Sequence, residues 1–136
     1  MRERELRILL ADDDMDDRLL FKEALESLPV TAQLMTVNNG EQLMLLLNGD
    51  TNPPDILFLD LNMPRKNGFD CLEEIRQNQK LNGVAIIPIS TSFEQAMVDK
   101  LYAKGAQHYI RKPNEFSTLK TLIQDGISLV SKKNFV

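Results

Sequence analysis

Three apolar runs constrain the fold of this chain more than any other feature of its sequence. Each is nearly continuous in apolar residues: LRILLA at 6–11, DILFLDL at 55–61 and GVAIIPI at 83–89. A strand covered on both faces has this pattern, and such strands are typical of parallel sheets. Two weaker runs, AQLMTV at 32–37 and QHYI at 107–110, complete a predicted set of five strands.

Amphipathic segments separate these runs and predict a helix after each strand. Their apolar residues recur at helical spacing, in the order Leu19, Leu20, Ala24, Leu25, Leu28; Leu43, Leu46, Leu47; Leu72, Ile75; and Leu119, Leu122, Ile123, Ile127. The segment SFEQ at 92–95 has the form of a capping box and predicts a helix through Lys104, with Gly105 at its end. The alternation predicts a doubly wound α/β domain. Pro88, inside the fourth strand, predicts a local irregularity because it has no N–H.

Length and composition predict a single domain that spans residues 1–136. A hydrophobic content of 43% suffices for one core, expected at about residues 5–130, with a short frayed tail at 131–136. The single cysteine and the absence of a signal-peptide or membrane-helix pattern favour a soluble, cytoplasmic protein without a membrane partner. A net charge of −4 and a pI near 5.0 argue against direct binding of nucleic acid.

Polar and charged residues follow four of the predicted strands. Asp12 and Asp13 follow the first strand, Asp60 ends the third, Ser90 ends the fourth, and Lys112 lies just past the fifth. Ligands of doubly wound sheets bind beyond the carboxyl ends of the strands. Three carboxylates that meet there repel one another unless a cation lies among them, and without a Cys or His cluster the oxygen ligands favour Mg²⁺ over Zn²⁺. With a lysine and a hydroxyl nearby, the set suits phosphoryl transfer to an aspartate.

Four motifs, in order along the chain, resemble those of the receiver domain of two-component response regulators. They are the acidic pair after the first strand, LDLNMPRKNG at 59–68, ISTS at 89–92 and YIRKP at 109–113. The resemblance covers nearly the whole chain and implies a flavodoxin-like fold, with five parallel strands in the order 2-1-3-4-5 and five helices. It also implies a stand-alone signalling protein that is not an enzyme, apart from catalysing its own phosphorylation and dephosphorylation.

The resemblance implies a role for each matching residue of the site. Asp60 is the phosphoacceptor, and Lys112 and Ser90 contact the phosphoryl group. The phosphoryl donor is a sensor histidine kinase or a phosphotransfer protein. The implied ligands of Mg²⁺ are Asp12, Asp13, Asp60 and the backbone carbonyl of Asn62.

The resemblance also implies how the signal leaves the site. Ser90 and Tyr109 form the switch, which changes the surface made by the fourth helix, fifth strand and fifth helix. A downstream protein binds that surface, and it is also the face through which the resemblance allows a homodimer. The side chains of Asn62 and Ser92 occupy variable positions that influence how quickly the aspartyl phosphate hydrolyses.

The acidic run leaves the identity of the metal-binding pair open. Asp12 and Asp13 are favoured because the apolar run ends just before them, and Asp14 is the alternative. Asp16 and Asp17 are predicted to begin the first helix, where negative charge meets the positive end of the helix dipole. They are therefore left outside the predicted site.

Two other functions remain open at this point. A phosphohydrolase of the haloacid dehalogenase type has its nucleophile in a DxD motif, which Asp12 and Asp14 match in spacing, but that function leaves Asp60 unexplained. A pseudo-receiver is a binding module that is never phosphorylated, and the presence of Lys112 and Ser90 beside Asp60 in the motif set argues against it. The phosphorylated receiver is the function that the sequence favours.

Overall fold

The structure of the protein, a computed structural model, describes residues 5–49 and 52–134. Within these residues five strands alternate with five α-helices. The strands are β1 (Leu6–Ala11), β2 (Ala32–Val37), β3 (Ile56–Asp60), β4 (Ala85–Ser90) and β5 (Ile110–Arg111). The helices are α1 (Met15–Glu26), α2 (Gly40–Gly49), α3 (Gly68–Gln77), α4 (Gln95–Ala103) and α5 (Phe116–Asn134), and a 3-10 turn at Gln79–Leu81 precedes β4. All strand pairs are parallel in the order β2-β1-β3-β4-β5, which confirms the predicted fold and strand order.

The central strands bury side chains on both faces of the sheet. In β1, Ile8 and Leu10 pack with α1 and α5, whereas Leu9 and Ala11 pack with α2, α3 and α4. Every residue of β3 and β4 is buried. Because both faces are covered, a polar residue inside these strands would lose its contacts with water, and this explains the continuous apolar runs of the sequence.

Pro88 does not interrupt β4, contrary to the prediction. The strand pairs with β3 in unbroken register. On its other side, the carbonyl of Ile86 accepts from the N–H of Gln107 at 3.0 Å, and the carbonyl of Ser90 accepts from the N–H of Lys112 at 2.8 Å. Alternate residues of a parallel strand face the same neighbour, so Pro88 also faces the β5 side. Its missing donor therefore lies beside β5, which is only 2 residues long.

Strand β5 begins at Ile110, so the prediction of a strand at 107–110 was largely wrong. A side chain explains why. The Oε1 atom of Gln107 accepts the N–H of Ile86 at 2.8 Å, which a β5 carbonyl would otherwise do, and it also accepts from Nη2 of Arg76 at 2.9 Å. The Nε atom of Arg76 donates to the carbonyl of Gly105 at 3.0 Å. This side-chain network connects α3, the end of α4 and β4 without a strand ladder.

Helix α4 begins without the predicted capping box. Its N-cap residue is Glu94, whose side chain makes no capping hydrogen bond. Ser92 lies outside the helix, and its N–H donates to the Oγ atom of Ser90 at 3.2 Å. The SFEQ prediction was wrong because the backbone of Ser92 still belongs to the turn that follows β4.

The glycine predicted to end α4 does so. Gly105 has a φ of 106°, a left-handed conformation that favours glycine. The N–H of Gly105 donates to the carbonyl of Tyr102 at 3.1 Å, and the N–H of Ala106 donates to the carbonyl of Leu101 at 3.0 Å. This pair of bonds is a Schellman motif, which turns the chain toward β5.

Helix α5 extends through Asn134, so the prediction of a tail from residue 131 was wrong. Ile123, Ile127 and Val130 are buried at helical spacing, and no glycine or proline follows to end the helix. Residues 135 and 136 lie outside the described residues. No helix in the described ranges is long and apolar enough to cross a membrane.

Replacing Gly105 by Ala should lower the free energy of unfolding by about 1–2 kcal/mol. The new Cβ would take up a left-handed φ and would lie 2.8 Å from Cγ and Nε of Arg76. Gly83→Ala is the matched control, because no atom lies within 4 Å of its Cβ position. Urea denaturation of both variants measures the effect, and an equal change in the two would contradict the prediction.

Candidate functional site

Three predicted site residues, Asp12, Asp13 and Asp60, meet at the carboxyl ends of β1 and β3. These strands are neighbours in the sheet. One carboxylate oxygen from each residue lies within 4.8 Å of the others. The side chains of Asp12 and Asp60 are buried, whereas that of Asp13 is exposed. Among the described residues, this group has a spacing and ligand chemistry that could hold a hard divalent cation such as Mg²⁺.

Backbone N–H groups orient the two buried carboxylates. Asp12 accepts the N–H of Asp14 on Oδ1 at 3.0 Å, and Asp60 accepts the N–H of Asn62 on Oδ1 at 3.1 Å. In both cases the side chain bonds the backbone two residues further along, which is the form of an Asx turn. The turn fixes each carboxylate at its strand end and leaves Oδ2 available to other partners.

The loop between β3 and α3 passes very close to Asp60. The N–H of Gly68 donates to the carbonyl of Leu61 at 3.0 Å, and a Cβ on Gly68 would lie 2.5 Å from the carbonyl oxygen of Asp60. Only glycine permits this approach. Within the loop Asn62 is exposed, and Arg65 has a φ of 68°, which is unusual for a residue with a side chain. Asn62, predicted as a carbonyl ligand and as a side chain that influences hydrolysis of the phosphate, thus lies next to Asp60, to which its N–H donates.

Lys112 lies among the carboxylates, at the end of β5. Its Nζ atom donates to Oδ2 of Asp12 at 3.1 Å, Oδ2 of Asp17 at 3.0 Å and Oδ2 of Asp60 at 3.5 Å. Burial alone would lower the pKa of Lys112. The hydrogen bond to Asp17 and the negative charges of Asp12 and Asp60 outweigh burial and raise the pKa above its ordinary value. The ammonium therefore remains charged throughout the physiological range.

The remaining aspartates of the acidic run occupy the start of α1. Asp14 is the N-cap residue, and its Oδ1 accepts the N–H of Asp17 at 3.0 Å. Asp16 and Asp17 lie in the first turn, as predicted. Asp17 also contacts Lys112, a contact that the prediction missed when it left Asp17 outside the site. The available signal was its position one turn after the acidic pair, on a helix that starts at the same sheet edge.

Ser90 connects the site with an aromatic pair at the surface. Ser90 is buried at the end of β4, and Ile89, the residue before it, pairs with Asp60. The half-buried Tyr109 donates its hydroxyl hydrogen to the carbonyl of Ser92, and its ring centroid lies 6.2 Å from that of the exposed Phe93. Burial raises the pKa of Tyr109, while a hydrogen bond with Ser90 opposes that rise. The predicted switch residues, Ser90 and Tyr109, thus lie against the same turn.

The family model for the response regulator receiver domain matches residues 8–124. The chain belongs to this family. The probable chemotaxis protein CheY of Rhizobium etli is 28% identical over 120 residues, covering 88% of this chain and 91% of that protein. The structure of the phosphorylated cyanobacterial phytochrome response regulator RcpA is 27% identical, covers 96% of both chains and has a TM-score of 0.85. The Mn²⁺-bound form of response regulator Rcp1, a Synechocystis protein, is 27% identical with a TM-score of 0.81 and again covers 96% of both chains.

In this receiver domain the buried Asp60 carboxylate has a pKa raised to about 6. Desolvation is the main cause, and the charge of Asp12 acts in the same direction. The N–H of Asn62 and the ammonium of Lys112 oppose the rise without cancelling it. One ammonium is therefore insufficient to compensate the acidic edge, and a further positive charge there would stabilise ionised Asp60.

Replacing Asp60 by Asn in the metal-free receiver domain should raise its stability at neutral pH. The pKa of Asp60 is about 6 in the folded protein against 3.8 as the ordinary value, so between these values the folded state keeps a proton that the unfolded state has lost. The free energy of unfolding of the wild type therefore falls as the pH rises from about 4 to about 6, and the loss persists above that range. We expect Asp60→Asn to exceed the wild type by on the order of 2–3 kcal/mol near neutral pH and by much less near pH 4.

Urea denaturation in EDTA, repeated across this pH range, measures the difference between Asp60→Asn and the wild type. Asp16→Asn, which changes an exposed aspartate of α1, is the control. A stability difference that does not vary with pH would contradict the raised pKa of Asp60.

Proposed function

We propose that this receiver domain accepts a phosphoryl group on Asp60 and changes a protein-binding surface in response. One observation carries the proposal: the buried Asp60 carboxylate lies 3.5 Å from the Lys112 ammonium and beside two further carboxylates. Phosphoryl transfer is catalysed mainly by positioning and by compensation of charge, and this arrangement offers both. Family membership adds the function of a two-component signalling module.

The donor is a phosphohistidine of a sensor kinase or of a phosphotransfer protein. A carboxylate oxygen of Asp60 attacks the phosphorus atom, the phosphorus–nitrogen bond breaks, and its electron pair remains on the imidazole nitrogen of the donor. Lys112 compensates the charge on the phosphoryl oxygens, and the hydroxyl of Ser90 donates a hydrogen bond to one of them. The products are an aspartyl phosphate and an unmodified histidine, so the protein modifies itself and releases no separate product.

The residues that would hold Mg²⁺ are Asp12, Asp13, Asp60 and the backbone carbonyl of Asn62. Their donor atoms are all oxygens, which suits a hard cation, and the raised pKa of Asp60 indicates that the edge lacks positive charge. When bound, Mg²⁺ supplies charge compensation for the carboxylates and the phosphoryl oxygens. The similar protein Rcp1 has a Mn²⁺-bound form, and Mn²⁺ is another cation that oxygen ligands suit.

The output begins at Ser90. A new bond from Ser90 to the phosphoryl group would move the turn that holds Ser92, and Tyr109 contacts the same turn. The surface of α4, β5 and α5 then changes for a downstream protein or for a second copy of the chain. We further propose that the side chains of Asn62 and Ser92, which are both exposed, influence the lifetime of the phosphate.

The proposed setting is the cytoplasm, in line with the free Cys71, and direct contacts with nucleic acid or membrane are not part of the proposal. The similar protein RcpA is a phytochrome response regulator, so a phytochrome-type kinase is a reasonable first donor to assay. The phosphohydrolase alternative required Asp14 as a site carboxylate. Its Oδ1 atom caps α1, and among the described residues the carboxylates that lie within 4.8 Å of one another are those of Asp12, Asp13 and Asp60, which argues against that alternative.

Incubation with acetyl phosphate and Mg²⁺ should add one phosphoryl group to the wild type. Asp60→Asn should abolish the addition because the nucleophile is lost, whereas Asp16→Asn should behave as the wild type. Intact-mass spectrometry followed by peptide mapping measures both. Modification that persists in Asp60→Asn would identify a different acceptor, and absence of modification in the wild type would favour a pseudo-receiver.

Mg²⁺ should raise the thermal midpoint of the wild type in a dose-dependent way. A ligand that binds only the folded state adds RT ln(1 + [L]/Kd), about 2.7 kcal/mol at a hundredfold excess over Kd. Asp13→Asn should weaken this effect because it removes one of the three carboxylates, and Asp16→Asn should leave it unchanged. Differential scanning fluorimetry with an EDTA control gives the comparison. An equal Mg²⁺ response in Asp13→Asn would exclude Asp13 as a ligand.

A further inference from the structure

The acidic segment folds into a closed ring of hydrogen bonds around Lys112. Asp14 donates its N–H to Asp12 Oδ1 at 3.0 Å, and Asp17 donates its N–H to Asp14 Oδ1 at 3.0 Å. Lys112 closes the ring by donating to Oδ2 of Asp17 at 3.0 Å and to Oδ2 of Asp12 at 3.1 Å. The backbone of Asp17 is thus held by a helix cap that is itself held by Asp12.

Asp17 differs from the other carboxylates that Lys112 contacts. Asp12 and Asp60 belong to the three-carboxylate group that could hold a metal ion, but Asp17 does not. Its contact with Lys112 is the shortest of the three, and the contact with Asp60 is the longest. A cation bound between Asp12 and Asp60 would weaken both of their contacts with Lys112, whereas the contact with Asp17 lies outside that competition.

An ammonium group has three N–H donors, and Lys112 has three carboxylate acceptors. If Asp17 holds one donor, the flexible lysine side chain loses most of its freedom, and the donor that faces Oδ2 of Asp60 keeps its direction. A phosphoryl oxygen that arrives at Asp60 then meets an ammonium group already in place. Positioned charge of this kind lowers a barrier more than a charge that must first be brought into position.

We propose that Asp17 is a positioning residue, which holds the Lys112 ammonium from the α1 side so that it faces Asp60 during phosphoryl transfer. The inference rests on the function proposed above, because it assigns a role within the same site. It accounts for an aspartate at 17 that helix initiation alone does not require, since Asp14 already caps α1 and Asp16 already places a negative charge in the first turn.

A double-mutant cycle on Asp17 and Lys112 tests the inference. With saturating Mg²⁺ and acetyl phosphate, Asp17→Ala should lower the rate constant of phosphorylation about tenfold, the usual effect of losing one hydrogen bond between charged groups. Asp17→Asn keeps a hydrogen-bond acceptor without the charge, so its rate constant of phosphorylation should fall less than that of Asp17→Ala. In the Lys112→Ala background, removing Asp17 should change the rate less than about twofold, because Asp17 acts through Lys112.

Asp16→Ala is the matched control, since it removes an equal charge from the same helical turn without touching Lys112. It should stay within about twofold of the wild type. A normal rate for Asp17→Ala, an equal loss in Asp16→Ala, or an undiminished effect of Asp17→Ala in the Lys112→Ala background would each overturn the inference.

A second cycle, on urea denaturation without any phosphodonor, tests the contact itself. The loss of stability caused by Asp17→Ala should shrink by at least half when Lys112 is already Ala, and strictly additive losses would overturn the inference.

Failure of the proposed function and failure of the positioning role give different results. A wild type that is not phosphorylated removes the proposed function and the positioning role with it, whereas a phosphorylated wild type with a normal Asp17→Ala removes only the inference.

Discussion

The arrangement of carboxylates at the sheet edge depends on one ammonium group that contacts several of them. Lys112 reaches Asp12, Asp17 and Asp60 together, and without it these side chains would repel one another at the edge of a buried sheet. The compensation is incomplete, since burial still raises the pKa of Asp60 to about 6. The site therefore has an unfavourable electrostatic energy that a cation or a new hydrogen-bonding partner can relieve, and this suits the switch that we propose.

Sheet topology brings these groups together although they are far apart in sequence. The order β2-β1-β3-β4-β5 makes β1 and β3 neighbours, so Asp12 and Asp60 end adjacent strands. The connection that follows β5 carries Lys112 to the same edge. Close backbone approach completes the geometry, because Gly68 allows the loop after β3 to turn directly beneath Asp60. The apolar strands thus act as a rigid frame, and the chemistry is confined to their ends.

The strands and their order in the sheet were predictable from the sequence, whereas the hydrogen-bond partners of individual polar side chains were not. The central strands were predictable because burial on both faces requires continuous apolar runs. The capping box failed because Ser92 is engaged with Ser90, and β5 was misplaced because the side chain of Gln107 replaces a backbone acceptor. Asp17 was left out because a residue that begins a helix was taken to lie outside the site, but one side chain at the start of α1 can also bind Lys112.

In the proposed function, the signal has a short path out of this site. Ser90 is buried beside the acidic edge. The turn after it is held by two hydrogen bonds of Ser92 instead of by a helix cap: its N–H donates to Oγ of Ser90, and its carbonyl accepts from the hydroxyl of Tyr109. Glu94, the N-cap residue of α4, makes no side-chain capping hydrogen bond either. A few hydrogen bonds can be exchanged at a low free-energy difference, whereas the packed strands cannot shift. The uncapped start of α4 therefore suits the proposed transmission of a change at Asp60 to the surface.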